Sequence, residues 1–284
     1  LPDVKNGYYR ATRFDWSGIM PELEYNGHTY FGRWFQNYDP EVHESVMGPA
    51  ESYDPIGYEE ASVGESFIKI GVGALIKPKE EKYVPFKLYQ IKNHGTWKVK
   101  KKSNQLEITH DLKEGNYAYS YKKTMLLPDN KPEMILNHEI TNSGSLVLET
   151  QMFNHNFFMI DNRKIGPGYL VRFPFNINIS GKIRGVNEFV KISKNEIEII
   201  KNLKQKDMIY IGSVSGYETN SKDYQIEIEN KNSGVGVRIV NDRPLSKLVF
   251  WSAEKTICPE PYIAIKIEPG ETYTWKTTYS LYSI

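Results

Sequence analysis

His155 and Glu260 are the two side chains whose surroundings best suit chemistry. His155 stands in Phe153-Asn154-His155-Asn156-Phe157-Phe158, an imidazole inside an aromatic cluster. Glu260 stands in Cys258-Pro259-Glu260-Pro261-Tyr262, a carboxylate between two prolines. An imidazole and a carboxylate facing each other across a cleft form a general acid/base pair. Such a pair suits the opening and closing of a sugar ring. On a strand, His155 and Phe157 share one face, and Asn154, Asn156 and Phe158 share the other. The aromatic rings offer a wall for sugar C–H faces, and amides suit sugar hydroxyls, so Asn154 and Asn156 are candidate sugar contacts. Two prolines restrain Glu260 near Trp251, Cys258 and Tyr262, and the desolvation this implies raises a carboxylate's pKa toward neutrality. A core histidine and a surface-loop glutamate are the bland alternatives for the two positions.

The elements that must position these residues read as strands. Leu106, Ile108 and Leu112 alternate with polar neighbours, as do Tyr117, Tyr119 and Tyr121, then Met134, Leu136 and Ile140. The same rule holds for Ile226 and Ile228, for Val235, Val237 and Ile239, for Ile263, Ile265 and Ile267, and for Tyr273, Trp275, Thr277 and Tyr279. Period-2 alternation marks half-buried strands. Turn signals separate them at Asn142-Ser143-Gly144, Asn230 to Gly234 and Pro269-Gly270. No 12-residue amphipathic helix stands out; the Ile-rich Asn195 to Lys204 stretch suits a strand as well as a helix. Many strands without helical partners predict an all-β fold, a large antiparallel β-sandwich. No linker or repeat divides the chain, which reads as one domain over 1–284. Residues 1–90 are less regular and read as loops that contribute to a site.

Composition narrows the function classes. The 284 residues carry 36 Lys and Arg against 35 Asp and Glu, a net charge of +1, which gives no reason to expect nucleic acid as partner. No apolar run approaches the ~18 residues of a membrane span. The single Cys258 allows no disulfide within the chain, which fits the cytosol and also many exported proteins. The chain opens on Leu1 rather than Met, which points to an exported protein, periplasmic or secreted. None of the six histidines has a second histidine or cysteine at metal spacing, so no metal site is expected. Gly71-Val72-Gly73 lacks the third glycine of a dinucleotide loop and reads as a close backbone approach. His110 and His138 fall in register with apolar strand positions and read as structural histidines.

The two motifs together resemble those of the galactose mutarotase (aldose 1-epimerase) superfamily. The family's catalytic histidine stands in an Asn-His-x-Tyr/Phe-Phe motif, matched by Asn154-His155-Asn156-Phe157-Phe158. Its catalytic glutamate follows in a Cys-x-Glu-Pro type segment, matched by Cys258-Pro259-Glu260-Pro261. The resemblance implies the same β-sandwich, a sugar or oligosaccharide partner and no cofactor. It implies that Glu260, as carboxylate, takes the C1 hydroxyl proton while His155, as imidazolium, protonates the ring oxygen. The family's Asn-Arg and His-Gly-Gly segments in the N-terminal third have no counterpart here, so the hydroxyl-reading residues differ. Arg13, Glu51 and Lys69 are candidate replacements. Anomer interconversion of a free aldose is the expected activity; a non-catalytic carbohydrate-binding protein and a polysaccharide-processing enzyme on the same fold are the alternatives.

Overall fold

The strand from Glu133 to Asn142 shows how the pattern becomes structure: Met134, Leu136, His138, Ile140 and Asn142 are buried, and the residues between them are half-exposed. In a computed structural model describing residues 9–284, the alternating segments assemble into two large sheets. The larger has ten strands, in the spatial order Val190–Ser193, Glu196–Ile199, Tyr169–Arg172, Gln225–Asn230, Val235–Asn241, Thr272–Ser283, Glu133–Asn142, Tyr117–Leu126, Gln105–Glu114 and Thr96–Lys101. The smaller has six, in the order Asn178–Arg184, Met208–Ser215, Lys247–Ala253, Thr256–Ile267, Leu148–Phe157 and Gly48–Tyr53. Pairing within both is antiparallel, as the strand pattern predicts. A three-stranded sheet (Ser66–Lys69, Gly73–Ile76, Ile91–Asn93) flanks them. The Asn195 to Lys204 stretch resolves as a strand, Glu196–Ile199, and the α-helix Val186–Phe189 spans a single turn.

The main core fills the space between the two large sheets. Leu136, Ile140 and Trp275 come from one side, and Leu148, Met152, Ile263 and Ile265 from the other. The six-stranded sheet also buries its second face. There Phe153, Phe157 and Cys258 pack under Tyr9, Phe14, Val46 and Trp34 from the N-terminal segment. That sheet is therefore covered on both sides, and the candidate pair lies on the N-terminal side.

The cover is pinned by backbone contacts. The Asp15 amide donates to the Glu51 carbonyl at 2.8 Å, the Trp16 amide to the Gly71 carbonyl at 2.8 Å, and Ser52 Oγ to the Arg13 carbonyl at 2.7 Å. Gly71 sits at φ +74°, and a Cβ there would stand 2.2 Å from Asp15 Oδ1. Only glycine allows this approach, so the Gly71-Val72-Gly73 segment serves packing, as expected. Among the described residues no helix is long and apolar enough to cross a membrane.

Candidate functional site

Strand register brings the two motifs together. Phe153 pairs with Tyr262 on the neighbouring strand. Continuing that register by two residues on each strand puts His155 opposite Glu260. The backbone ladder stops at Tyr262 because Pro261 and Pro259 have no N–H to give to this neighbour. The Asn156 side chain takes over, its Nδ2 donating to the Pro259 carbonyl at 3.0 Å. On its other edge the Thr256–Ile267 strand pairs without a break with Lys247–Ala253, so the prolines interrupt only the side facing His155.

His155 Nε2 lies 3.3 Å from Glu260 Oε1. The residues are 4% and 6% exposed. Phe157 stacks on the imidazole with ring centroids 3.9 Å apart, and Phe14 and Trp251 meet it edge-on at 5.8 and 5.3 Å. Trp34 stacks in turn on Phe157 at 5.0 Å. Arg13, Trp251, Tyr262 and Tyr210 are partly exposed around the pair and mark its approach from solvent.

Charge is disfavoured on both members. Burial pushes the Glu260 carboxyl up to about 7, against the weaker opposing pull of the Arg13 and Lys247 charges. Burial, and then the Arg13 charge, hold the His155 imidazole well below 6.5. Burial thus favours the neutral form of each group, the acid on Glu260 and the free base on His155. Burial works against the expected carboxylate and imidazolium: the rings around His155 remove the water that would solvate the two charges, and Arg13 repels the cation. His155 Nδ1 is buried without a partner, so no second group fixes the imidazole as an imidazolium.

The remaining predicted contacts separate into two faces. Asn154 pairs in register with Glu51, and His155 with Ala50. Asn154, Asn156 and Glu51 therefore point into the space between the two large sheets, away from His155. The Glu51 carboxylate receives His138 Nε2 at 2.8 Å, Lys123 Nζ at 2.9 Å, Asn154 Nδ2 at 3.1 Å and the Tyr121 hydroxyl at 3.2 Å. These fill the acceptor positions of a carboxylate. Asn156 Nδ2 also bonds the Asn154 carbonyl, and its Oδ1 receives the Tyr279 hydroxyl. Lys69 is 2% exposed, bonds the Tyr53 carbonyl and Ser52 Oγ, and is lowered by burial to about 7. Of the five predicted contact residues, Arg13 stands nearest to the pair in its electrostatics, acting on both His155 and Glu260.

Trp34, Tyr83, Phe86 and Lys247 near the site escaped the sequence reading. For Trp34, Tyr83 and Phe86 the signal was slight, aromatic residues in irregular segments with no period to say what they face; Lys247 is a single charge at the start of the strand Lys247–Ala253. Among the described residues no group of three or more His, Cys, Asp or Glu is placed to hold a metal ion. A shallow depression on the outer face of the ten-stranded sheet, over Lys122, Asn137, Asp242 and Lys276, is remote from this chemistry.

No protein-family model matches the sequence, and no curated protein matches it. Solved structures do match. A galactose mutarotase-like protein from Clostridium acetobutylicum aligns over 96% of this chain and 94% of its own, with 14% identity and a TM-score of 0.58. A galactose mutarotase-like protein from Lactobacillus casei aligns over 93% of this chain and all of its own, with 12% identity and a TM-score of 0.51. An aldose epimerase homologue from C. elegans aligns over 86% and 90%, with 11% identity and a TM-score of 0.50. With its two antiparallel sheets and these neighbours, the chain has the galactose mutarotase-like fold.

Proposed function

We propose that the protein is an aldose 1-epimerase that interconverts the anomers of a free sugar at His155 and Glu260, working as one domain whose segments before residue 90 cover the site. The observation that carries this reading is the 3.3 Å contact between a buried imidazole and a buried carboxyl, each pushed by burial toward its neutral form. Ring opening removes a proton from the C1 hydroxyl and adds one to the ring oxygen. A pair with one proton and one vacant lone pair does both without net gain or loss. For Glu260 to act as base, its proton first crosses the short contact to His155 Nε2. Glu260 then takes the C1 hydroxyl proton as His155 protonates the ring oxygen and the C1–ring oxygen bond breaks. The open aldehyde turns about C1–C2, and the reverse steps close the ring on the other face. The sugar is the only reactant, so the steps need no cofactor.

The near-neutral pKa of Glu260 suits this work, since acid/base transfer is most efficient when the group's pKa lies near the working pH. NMR exchange spectroscopy over a panel of aldoses tests the proposal. His155→Ala and Glu260→Gln are each expected to slow interconversion by ~10²–10⁴-fold. Variants as fast as wild type on every sugar would sink the epimerase reading, and tight sugar binding without interconversion would favour a carbohydrate-binding protein instead.

A further inference from the structure

Arg13 is a partly buried cation without a counter-ion. Its guanidinium lies between two rings, 4.7 Å from the centroid of Phe14 and 4.6 Å from that of Phe86. The Ser52 hydroxyl holds its backbone carbonyl. Among the described residues its N–H groups meet no hydrogen-bond acceptor, and no carboxylate lies within ion-pair distance. Other arginines differ. Arg172 bonds both Glu196 and Glu229, Arg238 bonds Glu227, and Arg243 bonds the Thr274 carbonyl. A ring-clamped guanidinium whose donors no protein acceptor takes is held ready for the oxygens of a ligand.

The surrounding charges do not use it. Glu260, Tyr9, Tyr262 and Tyr83 are its electrostatic neighbours, and burial still lowers its pKa. Lys69 feels the Arg13 charge, as do His43 and His155, and its ammonium is already bonded to Tyr53 and Ser52. Lys247 lies over the Tyr262 ring at 4.8 Å. Asp54 is exposed and acts electrostatically on Lys69 and Tyr83 rather than on Arg13.

We propose that the sugar bound at His155 and Glu260 carries an oxyanion, a uronic acid carboxylate, and that Arg13 receives it. This rests on the epimerase reading for its placement of C1. The chemistry favours a carboxylate because a single planar fork, fixed in direction by two rings, matches a planar monoanion with two parallel hydrogen bonds. A phosphate ester would draw on several cations; Lys69 is engaged by Tyr53 and Ser52, and Lys247 is the exposed cation that would have to join Arg13. Charge coupling follows. The Arg13 charge holds both Glu260 and His155 down, so an anion seated on Arg13 lets both rise. With a uronate bound, the alkaline limit of turnover moves to higher pH than with a neutral sugar.

The test compares matched sugars on wild type, Arg13→Lys and Arg13→Gln. Anomer exchange is measured by NMR for glucose, glucuronate, galactose, galacturonate and glucose 6-phosphate, and binding of the same sugars by titration calorimetry. Wild type is expected to prefer uronates over the parent aldoses by ~10–100-fold. Arg13→Gln abolishes that preference and Arg13→Lys keeps part of it, which guards against a variant that fails to fold. Equal use of neutral and acidic sugars by wild type overturns the proposal, as does a preference unchanged in Arg13→Gln. Stronger use of glucose 6-phosphate than of either uronate overturns the carboxylate assignment. If nothing is turned over, calorimetry decides. Arg13-dependent uronate binding upholds the anion site while the epimerase reading falls, and no uronate binding to wild type overturns the site.

Discussion

Each face of the six-stranded sheet presents a buried glutamate to a histidine, one from the facing sheet and one from the neighbouring strand, and the two pairs behave in opposite ways. Toward the ten-stranded sheet, Glu51 meets His138 at 2.8 Å. Toward the N-terminal cover, Glu260 meets His155 at 3.3 Å. All four residues are at most 6% exposed. Burial pushes Glu51 up as it does Glu260, but His138, Lys123 and their hydrogen bonds overcome it and hold the Glu51 carboxyl well below the usual range. Glu260 has one short contact and a more distant Arg13, and burial wins. The difference lies in the donors supplied, since depth of burial is the same. Four donors make a carboxylate that ties two sheets together; a single imidazole contact leaves a group that can gain and lose a proton.

The contrast is most exposed to removal of each carboxylate. Glu51→Ala strands the Lys123 ammonium, 2.9 Å away and buried, and is expected to cost about 3–5 kcal/mol. Glu260→Gln replaces a group that is already half-neutral at pH 7 and is expected to leave stability nearly unchanged there. Denaturant unfolding of both variants measures the gap, and equal losses would erase the distinction.

The pH dependence of stability gives the next largest effect. The folded pair keeps its proton on Glu260 up to about pH 7. The unfolded chain keeps one on His155 below its ordinary 6.5, and Glu260 ionises there at 4.5. Wherever the folded imidazole is neutral, the proton counts match between those two values and the pair contributes no slope. In His155→Gln only the raised carboxyl remains. Its stabilisation is full below pH 4.5 and is lost as pH rises through about 7, a fall of roughly 3 kcal/mol. In Glu260→Gln only the depressed imidazole remains. Its stabilisation is present above pH 6.5 and is lost as pH falls. Stability across pH 4–8 should therefore fall with rising pH in His155→Gln and rise with pH in Glu260→Gln; the reverse of both slopes in thermal melts would mean that the two groups are held charged.

Catalysis should follow the same proton. Above about pH 7 the pair loses it, so kcat/KM for a neutral sugar should drop about tenfold per pH unit; a rate that keeps rising to pH 9 would place the proton elsewhere. The smallest effect sharpens the separation of the two faces. Trp34→Leu removes the stack on Phe157 and should cost about 1 kcal/mol. The His155 ring NMR signals should move and those of His138 stay in place. Movement of both would show that the faces are coupled through the sheet.

Much of this arrangement was legible in the chain. The strands at Glu133–Asn142, Gln225–Asn230 and Thr272–Ser283 follow from period-2 patterning, because a sheet with one buried face imposes that period on its sequence. The turn at Pro269-Gly270 is marked by a glycine at φ +84°. His155 and Glu260 stood out by their flanking residues, and the face assignment of Asn154 and Asn156 opposite His155 follows from alternation alone. What each face looks onto does not. Asn156 reads as a sugar contact because an amide beside a motif suggests hydroxyl recognition, and Glu51 because the family's hydroxyl-reading segments in the N-terminal third have no counterpart here. In the fold they bind Lys123, His138 and Tyr279, which come from strands distant in sequence.

Sequence by itself determined local quantities: the strand period, the turns, the proline break that ends a ladder beside Glu260, and the residue types of the pair. Only the tertiary structure decided the proton. Whether a buried carboxylate is a fixed charge or a titrating group depends on how many donors converge on it, and those donors arrive from other strands. The same holds for Arg13, whose type is visible in the chain, while its lack of a counter-ion is a fact about everything packed around it.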